Sequence, residues 1–261
     1  MIPHPTSLHS VTFPQRGKAL KASPSGGSCQ HEVMTDEGLF MNGKCIIIGA
    51  GEFNGLKNEY GEDITPGAAD LLIAADGGYD FCLEIGLTPD IVVGDFDSRE
   101  GQVPAVSGKT ELIELKVEKN DTDLGHAVEV GLERGYRDFL LFGASGGRLS
   151  HTEANIRIMR GIVERGGSVV LYGKDSNLRV FKDSRTDYSE KDRGMLSLFS
   201  LTEISEGVTI RGLKYPLNNY TMSFADPIGV SNMLIGEKGY IEVRKGVLLA
   251  INEYREREAG L

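Results

Sequence analysis

The sequence predicts an α/β fold: a mostly parallel, Rossmann-like sheet in the N-terminal part and an all-β sandwich domain after it. Three observations predict this. Between residue 44 and about residue 173, short β-branched or apolar runs alternate with amphipathic segments of helix length, as in a parallel sheet covered by helices. After about residue 174 the helical period stops, and short apolar runs are spaced by Gly, Pro and Asn turns, as in a small sandwich. The chain has 261 residues, 40% of them hydrophobic, enough to bury the core of one large domain or two small ones.

The elements follow in order. Residues 1–40 carry Arg16, Lys18 and Lys21 against Glu32, Asp36 and Glu37, with Pro and His crowded among them. They lack apolar periodicity and a secretory apolar core. This stretch reads as a disordered leader with too little apolar surface to fold, and one reading starts translation at Met34 or Met41. The domain at 41–173 takes its strands from residues 45–48, 71–74, 91–93, 112–117, 139–142 and 169–172, apolar throughout and so suited to burial on both faces. Its helices fall at 79–85, 123–134 and 152–165, each closed by glycine: Gly86, Gly135 and Gly166. In the second helix Leu124, Ala127, Val128 and Leu132 share a stripe; in the third Ile156, Met159 and Val163 do. The domain at 174–261 takes its strands from 195–201, 208–210, 221–224, 240–243 and 247–251.

Charge narrows the function. The net charge is −10, and since the leader is balanced, all of it lies in residues 41–261. An acidic chain speaks against nucleic acid or a membrane surface as partner, and no apolar run approaches the ~20 residues of a membrane span. Cys29, Cys45 and Cys82 are odd in number and show no metal spacing, which fits a reducing cytoplasm.

The chemistry gathers where strands end, the edge at which open α/β sheets bind ligands. The ends read Gly49-Ala50-Gly51, Asp76-Gly77-Gly78, Gly94-Asp95-Phe96-Asp97-Ser98, Lys119-Asn120-Asp121-Thr122-Asp123 and Gly143-Ala144-Ser145-Gly146-Gly147-Arg148. Asp95 and Asp97, two apart on an extended segment, point to one side; their repulsion is relieved by a cation. Oxygen ligands of this kind suit Mg²⁺, which takes one or two carboxylates plus substrate phosphates. Asp123 and Asp76 complete the acidic set. The 143–148 loop has the composition of a phosphate cradle ahead of a helix N-terminus, and Arg148 adds a bidentate donor. Ser150-His151-Thr152-Glu153 fits a capping box with Ser150 as N-cap, which places His151 in the first turn.

Two rival chemistries fit less well. Gly49-x-Gly51 starts a dinucleotide fingerprint, but the sixth position is Asn54 and no acidic residue ends the second strand at the required distance. An aspartyl-phosphate phosphatase places its D-x-D after the first strand; here it follows the third.

Taken together, these strand ends, with Asn155, Gly212-Leu213-Lys214-Tyr215-Pro216-Leu217 and Val230-Ser231-Asn232, resemble the thiamine pyrophosphokinase family over about residues 44–251. The resemblance implies an α/β domain that binds ATP and Mg²⁺, and a β-sandwich that helps form a thiamine site across a homodimer interface. It implies transfer of the pyrophosphoryl group of ATP to the thiamine hydroxyl, giving thiamine diphosphate and AMP. Mapped by motif, Asp76, Asp95, Asp97 and Asp123 form the acidic centre, with Asp95, Asp97 and Asp123 on the metal. Gly49, Gly51, Gly77, Gly78, Asn120, Thr122, Gly146, Gly147, Arg148 and His151 hold the nucleotide's phosphates, and Ser231, Asn232 and Tyr215 meet thiamine. One position departs: the family pattern has Asp before this histidine, and the chain has Ser150, one charge fewer. A thiamine or nucleotide sensor on the same scaffold is the non-enzyme alternative; AMP release separates the two.

Overall fold

The computed structural model describes residues 32–35, 38–95, 108–115 and 122–253. Six strands form its parallel half: β3 (Lys44–Ile48), β4 (Leu71–Ala75), β5 (Ile91–Gly94), β6 (Glu111–Glu114), β7 (Asp138–Phe142) and β8 (Ser168–Tyr172). They lie in the order β8-β7-β3-β4-β5-β6, and each neighbouring pair is parallel. Alternate residues of one strand feed different cores. Cys45 and Ile47 face a cluster shared with α2 (Asp123–Glu133) and α3 (Leu149–Glu164), while Ile46 and Ile48 face one shared with α1 (Gly78–Glu84). Burial on both faces is why β3, β4 and β5 read as unbroken apolar runs. The chain leaves β3 towards β4 on one side and later returns to β7 on the other, so the strand order reverses between β3 and β7. A crevice opens at such a point, beyond the carboxyl ends of the strands.

The sheet does not stop at residue 173. β9 (Ser176–Lys182) turns back antiparallel along β8, and β16 (Val247–Glu253), β11 (Arg193–Ser200) and β14 (Gly229–Ile235) extend the same sheet to ten strands among the described residues. A second sheet, in the order β10-β15-β12-β13, comprises β10 (Arg185–Tyr188), β12 (Ile204–Arg211), β13 (Leu217–Ser223) and β15 (Gly239–Glu242). Val208, Ile210, Met222 and Ile241 from it share one core with Leu196, Leu198 and Leu248 of the larger sheet.

Several expectations are revised. Strands β9, β10 and β14 were not expected; their polar residues hide the alternation, and in β9 even Asn177 is only 2% exposed. Residues 1–31 of the expected leader lie outside the described residues, but β1 (Glu32–Thr35) and β2 (Gly38–Met41) pair antiparallel within its last part. The capping box at Ser150 does not form. Helix α3 starts at Leu149 with Arg148 as N-cap and no side-chain cap, so Ser150 sits inside the first turn. The Glu153 carboxylate instead pairs with Arg157 at 2.8 Å, the favoured i,i+4 geometry of an exposed helix face. Among the described residues, no helix is long and apolar enough to cross a membrane.

Candidate active site

The crevice at the β3/β7 reversal is a cleft of about 400 Å³. Its floor is two glycine loops zipped together. Gly49 N–H donates to Phe142 O (2.8 Å), Gly51 N–H to Gly143 O (2.6 Å) and Glu52 N–H to Ser145 O (2.9 Å). A Cβ on Gly51 would lie 2.6 Å from Ser145 O, and one on Gly143, which has φ +56°, only 2.4 Å from Gly49 O. Gly49 and Gly51 therefore line the cleft with their N–H groups already spent; they shape its floor by permitting the close approach. Gly77 and Gly78 serve the helix behind. A Cβ on Gly78 would meet Ile48 O at 1.9 Å, so that residue lets α1 seat against the end of β3.

The walls carry the charge. Asp76 follows β4 and lines the cleft with φ +50°, a left-handed conformation uncommon outside glycine; its N–H donates to Val93 O at 2.8 Å. Opposite, Thr122 caps α2, its Oγ1 accepting from Gly125 N–H at 3.1 Å. Asp123 then stands in the first helical turn, half-buried and on the cleft wall. The 143–148 loop runs into α3, and here the arrangement differs from the first loop. Gly146 and Gly147 are left-handed (φ +80° and +62°), and the first turn of α3 has no side-chain cap and no acidic residue. Arg148 and His151 are exposed at that end and line the cleft; neither makes an ion pair among the described residues. A 16-residue helix presents uncapped N–H groups and the positive end of its dipole here.

Asn155 is the residue that reasoning from the sequence left without a role. It is 8% exposed, and its Nδ2 donates to Ala144 O at 2.6 Å, holding the 143–148 loop against α3. Its place one helical turn after His151 was the available signal.

Other expected residues fall elsewhere. Asp95 follows β5, half-buried, on the strand beside β4, and is not among the cleft-lining residues. Asp97 and Asn120 lie outside the described residues. Among the described residues, no three His, Cys, Asp or Glu side chains gather closely enough to hold a metal. Ser231, Asn232 and Tyr215 belong to the antiparallel half. Asn232 is 5% exposed, and both ends of its amide are committed: Oδ1 accepts from Tyr215 N–H (3.0 Å) and Met233 N–H (2.8 Å), and Nδ2 donates to Tyr215 O (2.7 Å). It pins the 212–217 loop to β14. Tyr215 itself is 57% exposed, so it is no core residue. Ser231 is exposed, with φ +62°, and its N–H donates to Ser197 Oγ at 3.2 Å. The described cysteines are chemically quiet: burial pushes the Cys82 thiol up to about 12 and raises Cys45 as well.

Comparison with known proteins gives a consistent set. Residues 66–171 match the family model described as the catalytic domain of thiamin pyrophosphokinase, and residues 185–248 match that of its vitamin B1 binding domain. Over 184 residues the chain is 30% identical to thiamine pyrophosphokinase of Bacillus subtilis, covering 69% of this chain and 86% of that protein. The crystal structure of the Bacillus subtilis thiamine pyrophosphokinase superposes with a TM-score of 0.69 at 27% identity, covering 81% of this chain and 99% of that one. A thiamin pyrophosphokinase family protein from Enterococcus faecalis superposes with a TM-score of 0.67 at 26% identity, covering 82% and 100%.

Proposed function

We infer function from one premise: the chain belongs to the thiamine pyrophosphokinase family, and it acts as a thiamine pyrophosphokinase. In detail, we propose that it transfers the β,γ-pyrophosphoryl group of ATP to the thiamine hydroxyl, releasing AMP. The observation that carries this reading is the cleft itself: an uncapped helix end with Arg148 and His151 on one wall, and Asp76 and Asp123 on the others. A polyanion alone would be repelled by the carboxylates, and a bare cation by the helix end. A metal–polyphosphate suits both.

The donor set fits Mg²⁺. Among the described residues two carboxylates, Asp76 and Asp123, line the cleft, and Mg²⁺ uses one or two together with phosphate oxygens and water. We assign Asp123 to the metal with Asp95 and Asp97, and Asp76 to the acidic centre beside them. Mg²⁺, when bound, neutralises phosphate charge and eases approach of the attacking hydroxyl. The chain's own residues position the groups. Arg148 offers its guanidinium fork to phosphate oxygens. His151, Thr122 and Asn120 hold the polyphosphate, the α3 N–H groups face it, and Asp97 or Asp123 orients or deprotonates the thiamine hydroxyl. Positioning and charge neutralisation are what this type of transfer needs.

Residues 41–173 then serve as a Rossmann-like ATP domain and residues 174–261 as a thiamine-binding sandwich, in a cytoplasmic homodimer. Sheet geometry supports the dimer. Ser231 lies on β14, five strands from β7, or roughly 24 Å at one strand spacing each. That is too far for thiamine held there to reach the cleft of its own chain. Around it, Val230, Met233 and Ile235 on this edge strand are 42–45% exposed. An apolar edge of this kind suits a second copy. The test is AMP release by the full chain with ATP, Mg²⁺ and thiamine. AMP above the thiamine-free background is expected; intact thiamine binding without AMP would assign a sensor.

A further inference from the structure

Within the cleft, the assignments above leave one end of the Asn155 amide unused. Asn155 is 8% exposed and lines the cleft, on α3 one turn after His151. The amide is fixed end for end. Nδ2 donates to Ala144 O at 2.6 Å, and a carbonyl oxygen can be met only by a donor, so the amide nitrogen must face the 143–148 loop. Oδ1 is the end left over, and it accepts no hydrogen bond among the described residues. It is not sealed in either. Among the described residues, the fully buried side-chain atoms without a partner are Tyr188 Oη and Asn252 Oδ1. The Asn155 oxygen therefore keeps an open side, and the space it opens on is the cleft.

Hydrogen-bond sense defines what can meet this oxygen. An amide oxygen accepts and cannot donate, so a phosphate oxygen is repelled by it. Mg²⁺ favours carboxylates, which stand on the other walls at Asp76 and Asp123, and it keeps several water molecules when it binds. A neutral acceptor at this place suits an O–H group. Two such groups come with the proposed reactants: water carried by the metal, and the hydroxyl of thiamine. Arg148 and His151, at the same end of α3, are exposed and face the cleft, so the wall offers donors to the phosphates and, one turn further in, an acceptor.

We propose that Asn155 Oδ1 accepts a hydrogen bond from an O–H group of the bound reactants, either metal-bound water or the thiamine hydroxyl, while Nδ2 holds the 143–148 loop. One planar amide then fixes the distance between the phosphate loop and that O–H group. This contact rests on the proposed pyrophosphoryl transfer in the cleft.

The test reads the amide directly, in the full chain labelled with carbon-13 at the asparagine Cγ atoms. The additions are a non-hydrolysable ATP analogue alone, the analogue with Mg²⁺, thiamine, and thiamine lacking its hydroxyl. A hydrogen bond to Oδ1 is expected to move the Asn155 Cγ resonance downfield. A shift that needs Mg²⁺ assigns the donor to metal-bound water; one that needs the thiamine hydroxyl assigns it to the substrate. Calorimetry then compares two variants. Asn155→Ala should weaken the ligand so identified about three- to tenfold. Asn155→Asp, whether ionised or protonated towards Ala144 O, still presents an oxygen to the cleft and should bind that ligand more tightly than the alanine variant. Binding of both ligands with no shift would overturn this inference and leave the transfer reading standing. An equal loss in the two variants would also overturn it and confine the amide to holding the loop. A chain that binds neither ligand would overturn both readings. The resonance of the unmodified chain decides even if a variant does not fold.

Discussion

Replacing Asp123 by Asn separates a helix-stabilising carboxylate from a metal-binding one. Asp123 is the acidic residue in the first turn of α2, where a negative charge against the helix dipole is worth about 0.3–1 kcal/mol. The Thr122 cap, to which Gly125 N–H donates at 3.1 Å, remains, and Asn is isosteric, so the helix end keeps its shape. In a chain of this size such a loss lowers Tm by no more than about 4 °C. As a metal ligand the same carboxylate stabilises the transition state by several kcal/mol. A loss of about 3–4 kcal/mol is two to three decades in kcat/KM, at 1.36 kcal/mol per decade. The assay is AMP release over a Mg²⁺ series, with a thermal melt of the same preparation. The expected pattern is a Tm close to wild type, kcat/KM down about 10²- to 10³-fold, and partial recovery as Mg²⁺ rises. A small Tm loss with wild-type kcat/KM would refute the assignment and leave Asp123 a helix-dipole residue.

Four further outcomes are expected. Gly78→Ala puts a Cβ 1.9 Å from Ile48 O, a clash with backbone that no rotamer relieves; urea melts should show a loss of about 3 kcal/mol or more. Arg148→Lys keeps the charge but loses the bidentate fork, so KM for ATP should rise about tenfold with Tm unchanged. Burial raises the Cys82 thiol to about 12 from an ordinary 9.0: the folded chain keeps a proton that the unfolded chain releases. Stability should therefore fall between pH 9.0 and about 12, by at most about 1.4 kcal/mol per pH unit from this thiol, and Cys82→Ala should flatten that slope. Finally, mixing Asp123→Asn with Ser231→Arg and letting subunits exchange should restore about a quarter of wild-type turnover, since half the dimers are mixed and each holds one intact site; no recovery despite exchange would place both residues in one chain's site.

Legibility in the sequence followed burial. Strands β3, β4 and β5 are buried on both faces and announce themselves as apolar runs; glycines with positive φ at 86, 135 and 166 mark where the helices end. Strand ends could therefore be assigned, and with them Asp76, Asp123 and the 143–148 loop. Strands β9 and β14 carry Arg179, Asn177 and Asn232 inward to satisfied or cavity-facing positions, so their polarity argued against burial where there is burial. The start of α3 was misread because Ser-x-x-Glu is a local pattern, and here Arg157 takes the Glu153 carboxylate. Gly49 and Gly51 were read for what a ligand needs, whereas their N–H groups answer to the neighbouring loop. No single-chain pattern encodes that pairing, because Gly51 and Gly143 are distant in sequence.

The continuous sheet sharpens what the acidic composition implies. One ten-stranded sheet carries the cleft near its middle and the expected thiamine residues on its edge strand β14. Rigid strand spacing then forbids the two ends from meeting by bending, because the strands between them are hydrogen-bonded throughout and packed on a core of Leu196, Leu198, Leu248 and Ala250. Two substrates that must react have to lie within about 3.5 Å of one another. On the proposed assignment, a second copy would bring its edge strand to this cleft. Without that copy, the cleft's carboxylates and its uncapped helix end still suit a metal–nucleotide. Nucleotide binding should therefore survive when the exposed residues of β14 are made polar, while turnover should not.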